Sequence, residues 1–150
     1  MLVGAKAGVR PDARLRDEAI QLLETRGTEA AWDRYWAPLF GRNTSRAVVA
    51  AARELALAQD VDDLVRGVRA FHDRRDLTDW VARWRRPLVV ISGADDLTPP
   101  PAAVASLGAG PARRRHVVHD CGHYVPLERP ERFRSLLAST LAERFRFAAP

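Results

Sequence analysis

The amino-acid sequence predicts an α/β protein in which a helical first half leads into a small parallel sheet of about three strands with flanking helices. Three observations carry that expectation. Apolar residues recur at helical spacing as far as Arg83; at Pro87 the pattern changes to a continuous β-branched run; from there the order is strand, helix, strand, helix, which is a parallel βαβ unit.

Taken in order, the first ten residues hold only Met1-Leu2-Val3 as strand material, too short to stand alone. Leu15, Ala19, Leu22 and Leu23 then share one helical face, opened near Pro11 and stopped at Gly27. Trp32, Tyr35, Trp36 and Leu39 predict a second amphipathic helix, closed by Gly41-Arg42-Asn43. Val48, Ala52 and Leu55 mark a third, and Val61, Leu64, Val65 and Val68 a fourth with Asp60 as its N-cap. A short helix, Leu77 to Arg83, leads onward. Leu88-Val89-Val90-Ile91, closed by Ser92-Gly93, reads as a strand buried on both faces. Ala102 to Leu107 is a short helix, Arg115 to His119 a second strand ended by Gly122, and Phe133, Leu136, Leu137 and Leu141 form one face of a last helix with Pro130 in its first turn.

Composition narrows the function classes. A single domain of 150 residues buries about 70% of its unfolded surface without staples, and 47% hydrophobic content excludes disorder as the main state. The lone Cys121 cannot form an internal disulfide, which fits a reducing compartment. Lys6, Gly8 and Arg10 break the opening segment, so no signal peptide and no membrane association are expected, and the chain reads as cytoplasmic. The net charge of +5 comes from 24 Lys+Arg against 19 Asp+Glu. All the basic residues but Lys6 are arginine, and the clusters Arg83-Trp84-Arg85-Arg86 and Arg113-Arg114-Arg115 each precede an apolar run. They read as solvated strand ends, and nucleic-acid binding stays a remote alternative because no basic stripe with interleaved aromatics occurs.

Two loops combine polar groups with strand ends, where ligands collect in open α/β sheets. One runs from Ser92 through Asp95, Asp96 and Thr98 to Pro100; the other from Asp120 through Cys121, Gly122, His123 and Glu128 to Pro130. Adjacent parallel strands bring them together, and an acid facing a histidine is the pairing that orients an imidazole as a general base. His116, His119, Cys121 and His123 also crowd together, but His116 and His119 fall on opposite strand faces, so neither metal nor other cofactor is expected. A Cys121–His123 pair is disfavoured, since residues two apart at a strand exit rarely meet.

The two loops together carry a resemblance. Pro87 to Glu143 is similar to the C-terminal part of the α/β-hydrolase superfamily, in its lidded esterase and lactonase branches. That family's P-L-V-V-I-x-G-x-x-D-x-x-x-P pattern would place the triad acid at Asp96, with Asp95 the weaker candidate. Its G-H-x-x-x-x-E-x-P pattern, matched by Gly122, His123, Glu128 and Pro130, would place the catalytic histidine at His123. The resemblance further implies residues 1–10 as the remnant of a strand, 11–84 as a helical lid, and 85–150 as the end of the hydrolase core. Trp32, Tyr35, Trp36, Phe40 and Trp80, with Trp84, are candidates for lining a pocket over His123; helical core packing is the alternative.

The family's nucleophile sits in G-x-S-x-G, and none of Ser45, Ser92, Ser106, Ser135 and Ser139 has that setting. The expectation is therefore an ester- or lactone-type hydrolase that keeps acid and base without the attacking group. A truncated reading frame ranks first as the cause, ahead of one half of a split enzyme and a non-catalytic binding module. A small-molecule ester or lactone is the expected substrate if a nucleophile-bearing half completes the chain. The strand at Leu2-Val3 would leave an open apolar edge, so self-association is expected.

Overall fold

The computed structural model of this chain describes residues 1–8 and 13–146, with side chains through residue 142. Pro11, the expected opening of the first helix, lies outside the described residues. Three strands, β1 (Leu2–Val3), β2 (Leu88–Gly93) and β3 (Arg113–Val118), form one sheet in the order β1-β2-β3. Both pairings are parallel, with Leu2 opposite Val90 and Leu88 through Gly93 opposite Arg113 through Val118. The central strand β2 is buried along its whole length, as its unbroken apolar run predicts.

Alternation divides the residues of β2 between two cores. Val89 and Ile91 pack with Val118, Cys121, Val125 and Leu136, the last from helix α6 (Pro130–Arg146). Leu88 and Val90 pack on the other face with Val81, Val104 and Leu107. Ile91 is wholly buried and Val90 nearly so, and full burial of such a side chain is worth about 1.5–3 kcal/mol. The helices of the first half keep a third core of Ile20, Leu23, Ala31 and Val65.

That first half contains α1 (Ala13–Ala31), α2 (Arg46–Leu57), α3 (Val61–His72) and α4 (Thr78–Arg83). Ser45 caps α2 by accepting from Val48 N–H, and Asp60 caps α3 through the amides of Asp62 and Asp63. Gly27 breaks the helical path, with φ 77° and ψ 179°, but the chain resumes a helix one residue later and does not stop. The separate helix expected over Trp32 to Leu39 is instead a π-turn over Trp32–Trp36 followed by a 3-10 turn over Ala37–Leu39. Pro38 explains the change: it has no N–H to donate, so the α pattern ends and Ala37 N–H reaches back five residues to the Trp32 carbonyl.

Three further boundaries differ from expectation. The short helix over Ala102 to Leu107 is a 3-10 turn, Pro101–Gly108. A four-residue helix α5 (Val125–Glu128) stands in the histidine loop. Arg113 to Arg115 lie inside β3, because the β2 ladder starts at Leu88 and draws Arg113 into register. Arg113 is also no solvated strand end: its guanidinium donates to the carbonyls of Leu107 and Val81, tying the 3-10 turn and α4 to β3. No helix among the described residues is long and apolar enough to cross a membrane.

Candidate active site

The loops that leave β2 and β3 meet at one end of the sheet. Their approach depends on glycine. A Cβ on Gly93 would stand 1.9 Å from the Gly122 carbonyl oxygen, and a Cβ on Gly122 would stand 2.3 Å from the Leu39 carbonyl and 2.4 Å from the Gly41 nitrogen. Three backbones, those of Gly93, Gly122 and Gly41, are thus layered with no room for a side chain between them. The layering carries the two polar loops into contact.

Asp96 follows β2 by one tight turn and is 2% exposed. One carboxylate oxygen accepts from the Thr98 amide at 2.8 Å, and the other lies 3.0 Å from His123 Nδ1. With a carboxylate as acceptor, Nδ1 carries the ring proton and Nε2 is left as the basic nitrogen. His123 remains partly exposed, its backbone N–H donates to the Leu39 carbonyl, and its ring lies against Gly4 just beyond β1. Asp95 offers no such contact; its backbone amide donates to the Cys121 carbonyl. The structure therefore brings together Asp96 and His123, from two loops 27 residues apart.

Glu128 holds the histidine loop in place, and it contributes more than its place in a sequence pattern suggests. Buried at 5% exposure, its carboxylate accepts from the amides of Gly41, Gly122 and Tyr124 and from the Thr44 hydroxyl. One side chain thereby joins the strand-end loop to the segment that follows the π-turn. A buried carboxylate satisfied by several donors was signalled only by an acidic residue five positions after a Gly-His pair. Burial, with the nearby Glu128 charge second, pushes the Cys121 thiol up to about 12. A neutral, wholly buried thiol is no thiolate partner for His123. Tyr124 is likewise pushed up to about 12 by burial, with Glu128 and Asp96 adding to it.

The aromatic candidates separate. Phe40 reaches the site, its ring 4.5 Å from that of Tyr124, which in turn meets the His123 ring edge-on at 5.3 Å. Trp32 is buried behind Phe40. Tyr35 and Trp36 pack against the helical core of the first half. Trp80 is 53% exposed and lies at the other end of the sheet, in a cavity of about 710 Å³ shared with Trp84, Pro87 and Leu88 at the start of β2. The expectation that Trp80 overlies His123 is therefore not met. Ser92 is buried in β2, Ser45 caps α2, and no serine among the described residues hydrogen-bonds to His123. His116 lies in β3 and His119 just after it, and no group of three or more His, Cys, Asp or Glu among the described residues is gathered as a metal site would be.

No protein-family model matches the chain, and a search of curated proteins returns no relative. Solved structures do match. An esterase from Thermogutta terrifontis superposes with a TM-score of 0.83 at 22% identity, over 95% of this chain and 54% of that one. The enol-lactonase of Burkholderia xenovorans LB400 gives 0.77 at 22% identity, over 93% and 54%. An α/β-hydrolase enzyme from a Medee basin deep-sea metagenome gives 0.78 at 16% identity, over 93% and 54%. The chain spans about half the length of each. With its parallel three-stranded sheet and flanking helices, it carries the α/β-hydrolase fold over about half of such a protein.

Proposed function

We propose that this chain supplies the general base and its orienting acid to an ester- or lactone-hydrolysing serine hydrolase, as the C-terminal half of such an enzyme. The observation that supports this most is the buried Asp96 carboxylate 3.0 Å from Nδ1 of a partly exposed His123. In this reading His123 Nε2 takes the proton from an attacking serine and returns it to the leaving alkoxide, while Asp96 keeps the ring in the required tautomer and stabilises the imidazolium. Residues 11–84 act as the lid, with Phe40 at the pocket wall and Trp32 packed behind it. The serine and one oxyanion donor come from a G-x-S-x-G segment, and the second donor from an earlier loop, both outside these 150 residues and encoded ahead of Met1 or carried by a second polypeptide.

The test has two parts. The DNA ahead of the first codon is expected to encode an in-frame G-x-S-x-G within about a hundred codons, the span of the nucleophile half in this fold. In the protein so extended, or reconstituted with a separate nucleophile-bearing chain, Asp96→Asn and His123→Ala each lower kcat for a short-chain ester about 10⁴-fold. Unchanged turnover in both variants sinks the assignment. The absence of G-x-S-x-G from the sequence favours a second reading, a non-catalytic binding module. Under that reading no nucleophile segment exists upstream or in a partner. In either case the 150-residue chain alone resists labelling by a fluorophosphonate, and labelling would contradict the missing-serine claim.

A further inference from the structure

Three strand ends meet at one imidazole. The loops after β2 and β3 supply Asp96 and His123 themselves, and the end of β1 supplies a backbone without a side chain. Gly4 follows Val3 directly, and its amide donates to the Ile91 carbonyl at 3.0 Å, continuing the parallel pairing of Val3 with Ile91. Its φ of 55° then turns the chain through the left-handed region, which glycine enters without steric cost. A Cβ on Gly4 would stand 3.2 Å from Cε1 and 3.3 Å from Nδ1 of His123, and 3.1 Å from the His123 carbonyl oxygen. The bare Cα therefore lies against the same part of the ring that faces Asp96.

Every group around that contact is anchored except the ring. The His123 amide is tied to the Leu39 carbonyl at 2.8 Å, and Gly122 before it is wedged against the backbone of Leu39 to Gly41. Asp96 is buried and held by the Thr98 amide, and Gly4 is held by Ile91. An added Cβ at these distances needs a few tenths of an ångström from its neighbours. The loop backbone cannot supply that, so the imidazole moves. The Nδ1 to Asp96 separation is 3.0 Å, and a good N–H···O bond ends near about 3.2 Å. A shift of that size is enough to lose the bond's geometry. Tyr124, edge-on at 5.3 Å, does not take the place of Gly4 as a backing for the ring.

We propose that Gly4 is a positioning residue for His123: the bare end of β1 backs the imidazole so that Nδ1 stays on Asp96 and Nε2 is presented as the basic nitrogen. Gly4 touches no reacting atom and acts only through the ring. Its effect on ring orientation and tautomer belongs to this chain alone. Its effect on turnover rests on the hydrolase reading.

The experiment reads the ring nitrogens of His123 by nuclear magnetic resonance in this chain at alkaline pH, with the signals assigned by their loss in His123→Ala. In the parent, Nδ1 resonates as the protonated nitrogen and Nε2 as the bare one, and the Cε1 proton shows a nuclear Overhauser effect to the Gly4 α-protons. In Gly4→Ala the two nitrogen signals are expected to draw together as the Nε2–H form becomes populated. Gly4→Asn carries the same Cβ on a residue that tolerates left-handed backbone, so it stays readable where the alanine variant misfolds. Gly110→Ala is the control for backbone strain alone: its φ is 124°, its Cβ would meet only the Arg113 side chain at 3.6 Å, and it lies ahead of β3 at the other end of the strand. That variant is expected to leave the His123 signals unchanged. In the extended protein Gly4→Ala lowers kcat about tenfold with KM unchanged, a fraction of the cost of a 1 Å misplacement. Parental nitrogen signals in a folded Gly4 variant, the same change in Gly110→Ala, or no Overhauser effect in the parent overturns the proposal. Failure of the extended protein to hydrolyse esters would sink the catalytic reading and leave the resonance test standing.

Discussion

Gly122 shows how little slack the site has. Its missing Cβ would overlap the Leu39 carbonyl and the Gly41 nitrogen, both main-chain atoms that no rotamer change can move aside. Gly122→Ala is expected to destabilise the protein by about 1–3 kcal/mol or more, seen as a lower urea midpoint with an unchanged m-value. Gly67→Ala, inside α3 where a Cβ meets nothing within 4 Å, is the control and is expected to stabilise the protein by about 0.4–1 kcal/mol. Cys121 sets a second expectation at this scale. Its folded-state thiol is raised to about 12 by burial, above the ordinary value near 9. Below about pH 9 both states keep the proton and nothing is lost; as pH climbs from there toward 12 the unfolded chain ionises first and stability falls. Cys121→Ala shallows that alkaline decline, and alkylating reagents reach the native thiol only after unfolding. The glycine that admits the histidine loop could be read from the sequence as a strand stop, but its layering against Gly93 and Gly41 could not, since it depends on three segments meeting.

Among the elements, the periodic ones were legible and the connections were not. β2 announces itself because a strand buried on both faces needs an unbroken apolar run, and α3 because Asp60 caps a regular apolar stripe. The Trp32–Leu39 segment keeps helical spacing, yet Pro38 turns it into a π-turn and a 3-10 turn. Likewise the start of β3 is set by pairing, and arginines gave no sign of it. Asp96 and His123 were legible as a pair because each loop follows a strand. Glu128 belongs at this scale, since it links α5 to the segment before α2. Glu128→Gln turns an acceptor-only group into one with donors of its own, leaving at least one buried amide unpaired. A loss of about 2–3 kcal/mol is expected, with Glu128→Asp, too short to span the same donors, no better. A denaturation midpoint within error of the parent would refute this.

The molecule as a whole is asymmetric in how it is covered. Among the described residues β1 pairs only with β2, so its other edge is open, and Met1, Leu137 and Leu141 expose apolar surface near the same end of the sheet. An unpaired edge beside apolar surface recruits another chain. The purified chain is expected to sediment as oligomers or aggregates at micromolar concentration, and placing a lysine at Leu2 is expected to shift it toward monomer; a clean monomer across that range in the parent protein would count against an open edge. The glycine layering has a different outcome for the molecule as a whole. Because Gly122 of the histidine loop lies between Gly41 of the helical half and Gly93 of the central strand, it cannot withdraw without losing both contacts. The amides of the three glycines are therefore expected to exchange with solvent deuterium as a single cooperative unit at the slowest rate in the molecule, while the amides of α2 exchange earlier through local opening. The acid–base pair would then persist until the last unfolding event, well after the helices above it have begun to fray.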